Sequence, residues 1–472
     1  MDHRSALLNS FAHQIPSHHE VLVVGGGIAG AGVFRDLSLH GISTLLIDKK
    51  DFTSQTSQSS SKMLHGGIRY LENLDFALVW EALHEKNLWL KLAPHLSYPE
   101  EFYLPVYKDG LRPLWMIRLG LFLYDALSSF NNLPSSQANA TQTLKQIPLL
   151  KERGLTGSGI YSDAVMDDAK ITLECIYDGL LQRKSYACNH TSLERIEKYQ
   201  DGYKAVIKDQ ITQCEREITC NKVVFTTGPF TDKLLSELKL FDWTPKLKLS
   251  RGSHLWFDND MLKLKKPMVL TPKDGRVIFV IPQRDKTLVG TTEVKGRADF
   301  DQSPSDEEVD YLFKNLKEFF PKAIIDKKYL LGQFAGVRPL VMEDGENSLG
   351  KVARNHKVYQ PQENAFVLMG GKYTTFRVMA QDVVEPLLHQ MRRPYQNHLS
   401  TLPLRKPSQV VPWTEFTLSP QLIEQIILEE FPKTKEDFIH RRLGSREEDL
   451  SAELITQIES SLEKNLKAVT QA

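Results

Sequence analysis

The stretch from Val21 to Asp48 constrains this chain most. Four apolar residues, Val21 to Val24, run into Gly25-Gly26-Gly27-Ile28-Ala29-Gly30-Ala31-Gly32, and a helical apolar pattern follows from Val33 to Leu39. A second apolar run, Thr44 to Ile47, ends on Asp48, about twenty residues past the glycines, where a dinucleotide site needs an acid for ribose hydroxyls. The order strand, glycine turn, helix, strand, acid assigns each residue a task. Gly25 permits the tight turn, Gly27 lets backbone N–H groups such as that of Ile28 approach a pyrophosphate, and Gly30 lets the helix pack closely on the strand. The helix N-terminus then turns its partial positive charge toward the phosphates. A glycine-rich surface turn would leave Asp48 unexplained.

Downstream, Ser57, Ser59, Ser60, Ser61 and Lys62 crowd a polar segment that leads into His65-Gly66-Gly67-Ile68-Arg69-Tyr70-Leu71. A nicotinamide-binding domain would normally continue with strand–helix alternation here. Hydroxyls and glycines instead suit closure over the far half of an extended cofactor. The run from Ser59 through Lys62, His65, Gly66, Arg69 and Tyr70 to Glu72 resembles the FAD-dependent glycerol-3-phosphate dehydrogenase family, the quinone-linked aerobic type. So do Ala93-Pro94-His95-Leu96, Arg112 to Leu121, and Tyr124-Asp125. The resemblance covers most of residues 4–405 and thins afterwards. It implies an α/β fold: a Rossmann-like FAD-binding domain with an inserted antiparallel-sheet substrate (cap) domain and a short C-terminal helical domain.

At 472 residues the chain exceeds one small core, so two or three domains are expected. Residues 1–20 read as a helical lead; 21–98, 150–235 and 336–405 as the discontinuous FAD-binding domain; 99–149 and 236–335 as the cap; 406–472 as a shortened helical domain. The 59 basic residues balance 59 acidic ones, which removes the global electrostatic case for nucleic acid. Cys175, Cys188, Cys214 and Cys220 show no metal-ligand spacing and read as reduced structural thiols. His13, His18 and His19 lack acidic or cysteine partners nearby and read as solvated, so no metal is expected. The first twenty residues hold no apolar core long enough for a signal peptide. A cytoplasmic protein is expected.

Further along, Phe76 to Leu92 has helical apolar spacing and is ended by Pro94. Leu114 to Leu127 is richly apolar yet too short to span a bilayer. It reads either as a buried helix or as a surface lying in a membrane interface, with Trp115, Arg112 and Arg118 at headgroup level. Tyr161 to Lys170 resembles a family motif, with Lys170 replacing the usual arginine. Lys222 to Phe230 reads as an apolar strand and a turn through Gly228 and Pro229, from which Thr226 and Thr227 depart in residue type. Short strands with Gly and Pro turns fill 247–339 and argue an antiparallel sheet. Phe366 to Arg377 repeats the opening pattern of strand, double glycine and helix, so that Gly371, Lys372 and Thr374 face the flavin.

What the resemblance implies chemically is oxidation of sn-glycerol 3-phosphate to dihydroxyacetone phosphate, by hydride transfer from C2 to flavin N5, with electrons passed to a membrane quinone. It implies peripheral contact with the cytoplasmic membrane and leaves a homodimer open. A dianionic phosphate calls for cations, and arginine suits it because its planar fork bonds bidentately. Arg69, Arg338, Arg354 and Lys372 stand in the matching segments, with Tyr70, Arg251 and Thr292 on the substrate side. His65 is a base, a polariser of the C2 hydroxyl, or a holder of the flavin-side loop. An amino-acid or hydroxy-acid oxidase, needing a carboxylate clamp, and a silenced FAD-binding protein are the rival readings.

Overall fold

Val21, Leu22 and Val23 have no exposed surface, so their strand must be covered on both faces, as parallel strands with crossover helices are. The strand His18–Val24 lies parallel to Thr44–Ile47 on one edge and to Glu215–Phe225 on the other, with Val21 opposite Thr44 and Lys222. The helix Ile28–Leu39 makes the first crossover. The computed structural model describes residues 15–298, 302–342, 355–404 and 418–471. It divides into two compact units: Met1–Gln58, Asp168–Leu247 and His356–Ala472 form the first, Ser59–Asp167 and Lys248–Asn355 the second.

In the first unit the sheet order is His356–Gln362, Ala365–Gly370, Glu215–Phe225, His18–Val24, Thr44–Ile47, Ser185–Cys188. A hairpin, Thr191–Tyr199 and Gly202–Asp209, extends the early part of Glu215–Phe225 antiparallel. The helices Ile28–Leu39, Asp168–Leu180 and Phe376–Gln390 belong to this unit, and beyond them lie Pro420–Glu430, a π-helical turn Asp437–Leu443, and Ala452–Gln471. Ile423, Ile426, Phe438, Ile439 and Ile458 form the apolar cluster that joins these last three.

The second unit is built on a ten-stranded sheet whose long members are Ser97–Tyr107, Leu155–Met166, Leu247–Asp258 and Leu330–Val341. Alternation along its strands supplies two cores, because successive side chains point to opposite faces. Leu255, Val280 and Val289 join a cluster with Leu312 and Leu316 of the helix Asp306–Phe319. Ile281 and Leu288 join another with Val79, Leu83 and Tyr124 of the helices Phe76–Leu92 and Leu114–Leu127.

Several expectations change. Ser97–Tyr107 pairs with Leu155–Met166 along nearly its whole length, Met63–Leu64 pairs with the same strand, and Leu330–Val341 pairs with Leu247–Asp258. Residues 59–98, 150–167 and 336–355 therefore cluster with the second unit rather than the first, and 236–247 with the first. The lead expected over 1–20 gives way to strand at His18, while residues 1–14 lie outside the described ones. His19 is fully buried against Tyr186, and burial lowers its pKa to about 4, so it is not a solvated histidine. The helix Leu114–Leu127 buries Leu121, Tyr124 and Asp125 but exposes Trp115, Met116, Leu119, Phe122 and Leu123, so the fully buried reading fails.

The tightest approach in the first unit is at Gly30, where a β-carbon would sit 1.8 Å from the Gly25 carbonyl oxygen. Gly30→Ala is expected to destabilise the protein by about 1–3 kcal/mol, the size of an overpacking penalty. Gly120→Ala, whose β-carbon would meet nothing within 4 Å, should be neutral or slightly stabilising. Equilibrium denaturation of both variants checks the contrast.

Candidate functional site

The glycine turn folds as a cradle. Gly25 adopts φ +108, and Thr226 Oγ1 donates to the carbonyl oxygens of Val24 (3.0 Å) and Gly25 (2.9 Å). The threonine that departs from the family pattern thus braces the turn. Gly27 caps the helix Ile28–Leu39 with no side chain of its own, so an anion can come close to the helix start. Ile28 N–H donates to Ser57 Oγ at 2.9 Å, so this predicted pair is joined. Asp48 accepts from Gly26 N at 2.7 Å and from Lys50 N at 2.8 Å. Burial pushes its pKa up to about 6 against these donors, so at neutral pH it remains a carboxylate with lone pairs left for hydroxyls.

Elsewhere in this unit, Gly228 (φ +54) opens the turn Gly228–Phe230, and Gly371 (φ +85) follows the strand Ala365–Gly370. Lys372 precedes the turn Tyr373–Thr375, and Thr374 is buried within it. The helix Phe376–Gln390 continues directly from this turn, the Phe376 N–H donating to the Tyr373 carbonyl.

The second unit holds a cationic cluster around a histidine. His254 is 1 % exposed, stacks on Phe334 (centroids 5.0 Å apart), and meets Ser61 Oγ through Nε2 at 2.8 Å. Its Nδ1 has no hydrogen-bond partner among the described residues. Arg338 Nη2 donates to Thr291 Oγ1 at 2.9 Å, and its guanidinium lies against Gly252, where a β-carbon would be 2.4 Å from it. Lys62 places Nζ 5.5 Å from the Phe334 ring centroid, and its backbone N–H donates to Ser60 Oγ at 3.0 Å. Burial, then the charges of Arg338 and Lys62, hold His254 well below its ordinary pKa, so the imidazole is neutral. His254 was not among the predicted site residues. Arg251, three residues earlier, is the one member of its segment that the sequence singles out, and only packing puts two cations beside the ring.

Other predicted residues are engaged elsewhere. Arg251 is ion-paired with Glu308, and Thr292 Oγ1 donates to the same carboxylate at 2.6 Å. Glu308 also accepts from Ser253 Oγ at 2.8 Å and completes the capping box of Asp306–Phe319. Arg251 and Thr292 therefore help to anchor a helix. Arg69 is exposed on the turn Ile68–Asn73, with Tyr70 and His65 half-buried beside it. Arg354 lies outside the described residues. The Gly66 N–H donates to Tyr124 Oη at 2.9 Å and to Asp163 Oδ1 at 3.3 Å. Tyr124 donates to Asp163 at 2.8 Å, and Lys86 Nζ lies 4.0 Å from it, all buried.

Residues 20–385 match the family described as FAD dependent oxidoreductase. The chain belongs to that family. It is 31% identical over 386 residues to an aerobic glycerol-3-phosphate dehydrogenase of Staphylococcus haemolyticus, covering 80% of this chain and 68% of that protein. Against the enzyme of the same name from Bacillus subtilis it is 31% identical over 372 residues, 78% of this chain and 66% of that one. In fold it resembles a glycerol-3-phosphate dehydrogenase from Bacillus halodurans complexed with FAD, with a TM-score of 0.72, 23% identity, and 99% and 96% of the two chains covered. The cradle fits the family's cofactor: glycines that a β-carbon would fill, a helix start with no N-cap side chain, and the Asp48 acceptor are what a pyrophosphate and a ribose require.

The buried Asp163 makes a pH prediction. Burial raises its pKa to about 6, with Lys86 the main opposing influence. A carboxyl whose folded pKa exceeds its unfolded value costs stability as pH rises from about 4 toward the folded pKa, and no more above it. Removing the cation moves that upper limit higher. Lys86→Met is therefore expected to lose about 3–5 kcal/mol, with a deficit that keeps growing between pH 6 and 8. Adding Asp163→Asn should flatten this dependence; urea denaturation at each pH measures both.

Proposed function

We propose that this FAD-dependent oxidoreductase oxidises sn-glycerol 3-phosphate to dihydroxyacetone phosphate and delivers the electrons to a membrane quinone. The observation that carries the reading is the pairing of a fixed guanidinium, Arg338, with a buried neutral imidazole, His254, in a chain whose relatives are named for this reaction. The chemistry supplied by bound FAD is acceptance of the C2 hydride at N5. Arg338, held by Thr291 and by the Gly252 backbone, presents a preformed fork for the phosphate. His254, kept neutral, is the group we assign to the proton of the C2 hydroxyl, and its ring orientation is held through Ser61 and Phe334. Asp48 would hold the adenosine ribose, and the start of the helix Ile28–Leu39 the pyrophosphate. Lys372, Arg69 and Arg354 remain proposed phosphate partners on the strength of the family resemblance.

The purified protein mixed anaerobically with glycerol 3-phosphate should lose its oxidised flavin absorbance, and plain glycerol should leave it unchanged. Bleaching by amino or hydroxy acids alone would move the protein to the oxidase reading. Arg338→Ala is expected to keep the flavin spectrum and lower kcat/KM by roughly tenfold to a hundredfold, the size of one charge-assisted hydrogen bond. Unaltered kinetics would remove Arg338 from the site.

Peripheral membrane contact draws support from the second unit. No helix among the described residues is long and apolar enough to cross a membrane. Trp115, Met116, Leu119, Phe122 and Leu123 are nevertheless exposed on one helix, near exposed Phe130 and Leu133 in sequence, with Arg118 exposed among them. A face of this kind suits the interfacial layer, with aromatic and apolar groups at the acyl boundary and arginine at the headgroups. Trp115→Ser combined with Phe122→Ser should reduce cosedimentation with anionic phospholipid vesicles several-fold and leave turnover with a soluble dye acceptor intact. Equal cosedimentation would place the membrane contact elsewhere.

A further inference from the structure

Asp51 lies three residues beyond the ribose acid and is fully buried. Burial of a carboxylate is costly unless its oxygens are all met by donors. Here Asn189 Nδ2 donates to it at 2.7 Å, Arg441 Nε at 2.6 Å, and Arg442 Nη2 at 3.1 Å, with Arg442 Nη1 closer still. Both arginines stand on the π-helical turn Asp437–Leu443 in the C-terminal segment. Adjacent residues of an α-helix do not share a face; on this turn they converge on one carboxylate.

The network is closed on every side. Arg441 Nη2 also bonds Asp437 Oδ1 at 2.5 Å, and Asp437 Oδ2 accepts from His190 Nε2 at 2.8 Å, Lys433 N at 3.0 Å and Thr434 N at 2.9 Å. Arg442 further donates to the Glu430 carbonyl through Nε at 2.9 Å and Nη2 at 2.8 Å. Asp51, His190 and Asp437 bring ligand-type atoms within 4.8 Å of one another. Their oxygens are already held by two guanidiniums, so the arrangement is an ionic clamp and not a cation site.

What the clamp grips is the wall behind the ribose acid. Asp48 O accepts from Thr191 N at 2.6 Å, Lys50 O from His190 N at 2.8 Å, and Gly26 O from Thr53 N at 3.0 Å. Phe52 fills the space beside Gly26, where a β-carbon would be 2.4 Å from its ring. Gly26 N in turn donates to Asp48 Oδ2. Residues 48–53 are thus stitched to the glycine turn on one side and to the π-helical turn on the other.

We infer that Arg441 and Arg442, acting through Asp51, are positioning residues for the adenosine end of the FAD site, and that this is a task of the C-terminal helical segment. The inference rests on the reading of Asp48 as the ribose acceptor. Outer contacts of this kind hold an inner ligand group at its working geometry. They do not touch the flavin end.

The test is titration of the full-length apoprotein with FAD, ADP and FMN, following protein and flavin fluorescence. Arg442→Lys keeps the charge and loses the fork. It is expected to raise the Kd of FAD and of ADP by the same factor, about tenfold, and to leave FMN unchanged. Asn189→Ala removes one donor without stranding a charge and should shift the same two ligands in the same direction; it carries the test alone should Arg442→Lys not fold. Asp48→Ala must weaken FAD and ADP in parallel. Unchanged ADP affinity in Asp48→Ala would overturn the ribose reading and the inference with it. Weakened binding in Asp48→Ala, with both clamp variants within twofold of the parent or with FMN weakened equally, would overturn the inference alone.

Discussion

A strand paired in parallel on both edges cannot be completed by hairpins, and His18–Val24 is such a strand, flanked by Thr44–Ile47 and Glu215–Phe225. Its first neighbour is reached through one helix. Its second arrives only after the chain has left the first unit at Gln58 and returned at Asp168. The sheet can therefore close only around segments far apart in sequence, and the excursions between them are free to build a separate antiparallel unit. The glycine turn follows from the same constraint. A β-carbon on Gly30 would strike the Gly25 carbonyl oxygen and one on Gly25 the Thr226 carbonyl oxygen, so backbone packs on backbone there and the helix start lies within reach of a phosphate.

Buried charge is handled in three ways. Around Asp51 it is neutralised by pairing, two carboxylates against two guanidiniums, so the segment is locked at the expense of dehydration. Around Glu308 a carboxylate gathers an arginine, two hydroxyls and a backbone donor, and sets the start of a helix. Around His254 the opposite choice is made. The ring is buried beside two cations and left without an acid, and neutrality is the result. The first two arrangements give rigidity; the third keeps an uncharged ring in a cationic setting.

Much of this was legible in the residues. The glycine spacing, the acid after the second strand, the antiparallel character of 247–339 and the second double-glycine turn at Gly370 and Gly371 all follow from local rules: period, turn chemistry and helix-start electrostatics. What was not legible depends on partners distant in sequence. Nothing local betrays that Arg251 and Thr292 meet Glu308, or that Gly66 meets Tyr124 and Asp163. The boundary near residue 59 was misplaced because strand pairing, and not composition, decides which unit Met63–Leu64 joins.

The sequence by itself determined that the chain makes a glycine-lined dinucleotide cradle with a ribose acid, because spacing along a strand–turn–helix is a property of consecutive residues. It determined equally that a second, antiparallel region must exist, from the alternation of its strands. The tertiary structure alone decided that Arg251 meets a helix cap while Arg338 meets Thr291, that His254 is neutral, that the helix Leu114–Leu127 shows its apolar side, and that the C-terminal turn grips Asp51. Each of these is an electrostatic or packing balance among residues that meet only when the chain folds, and burial, which sets the strength of every charge, is not a property of any residue taken singly.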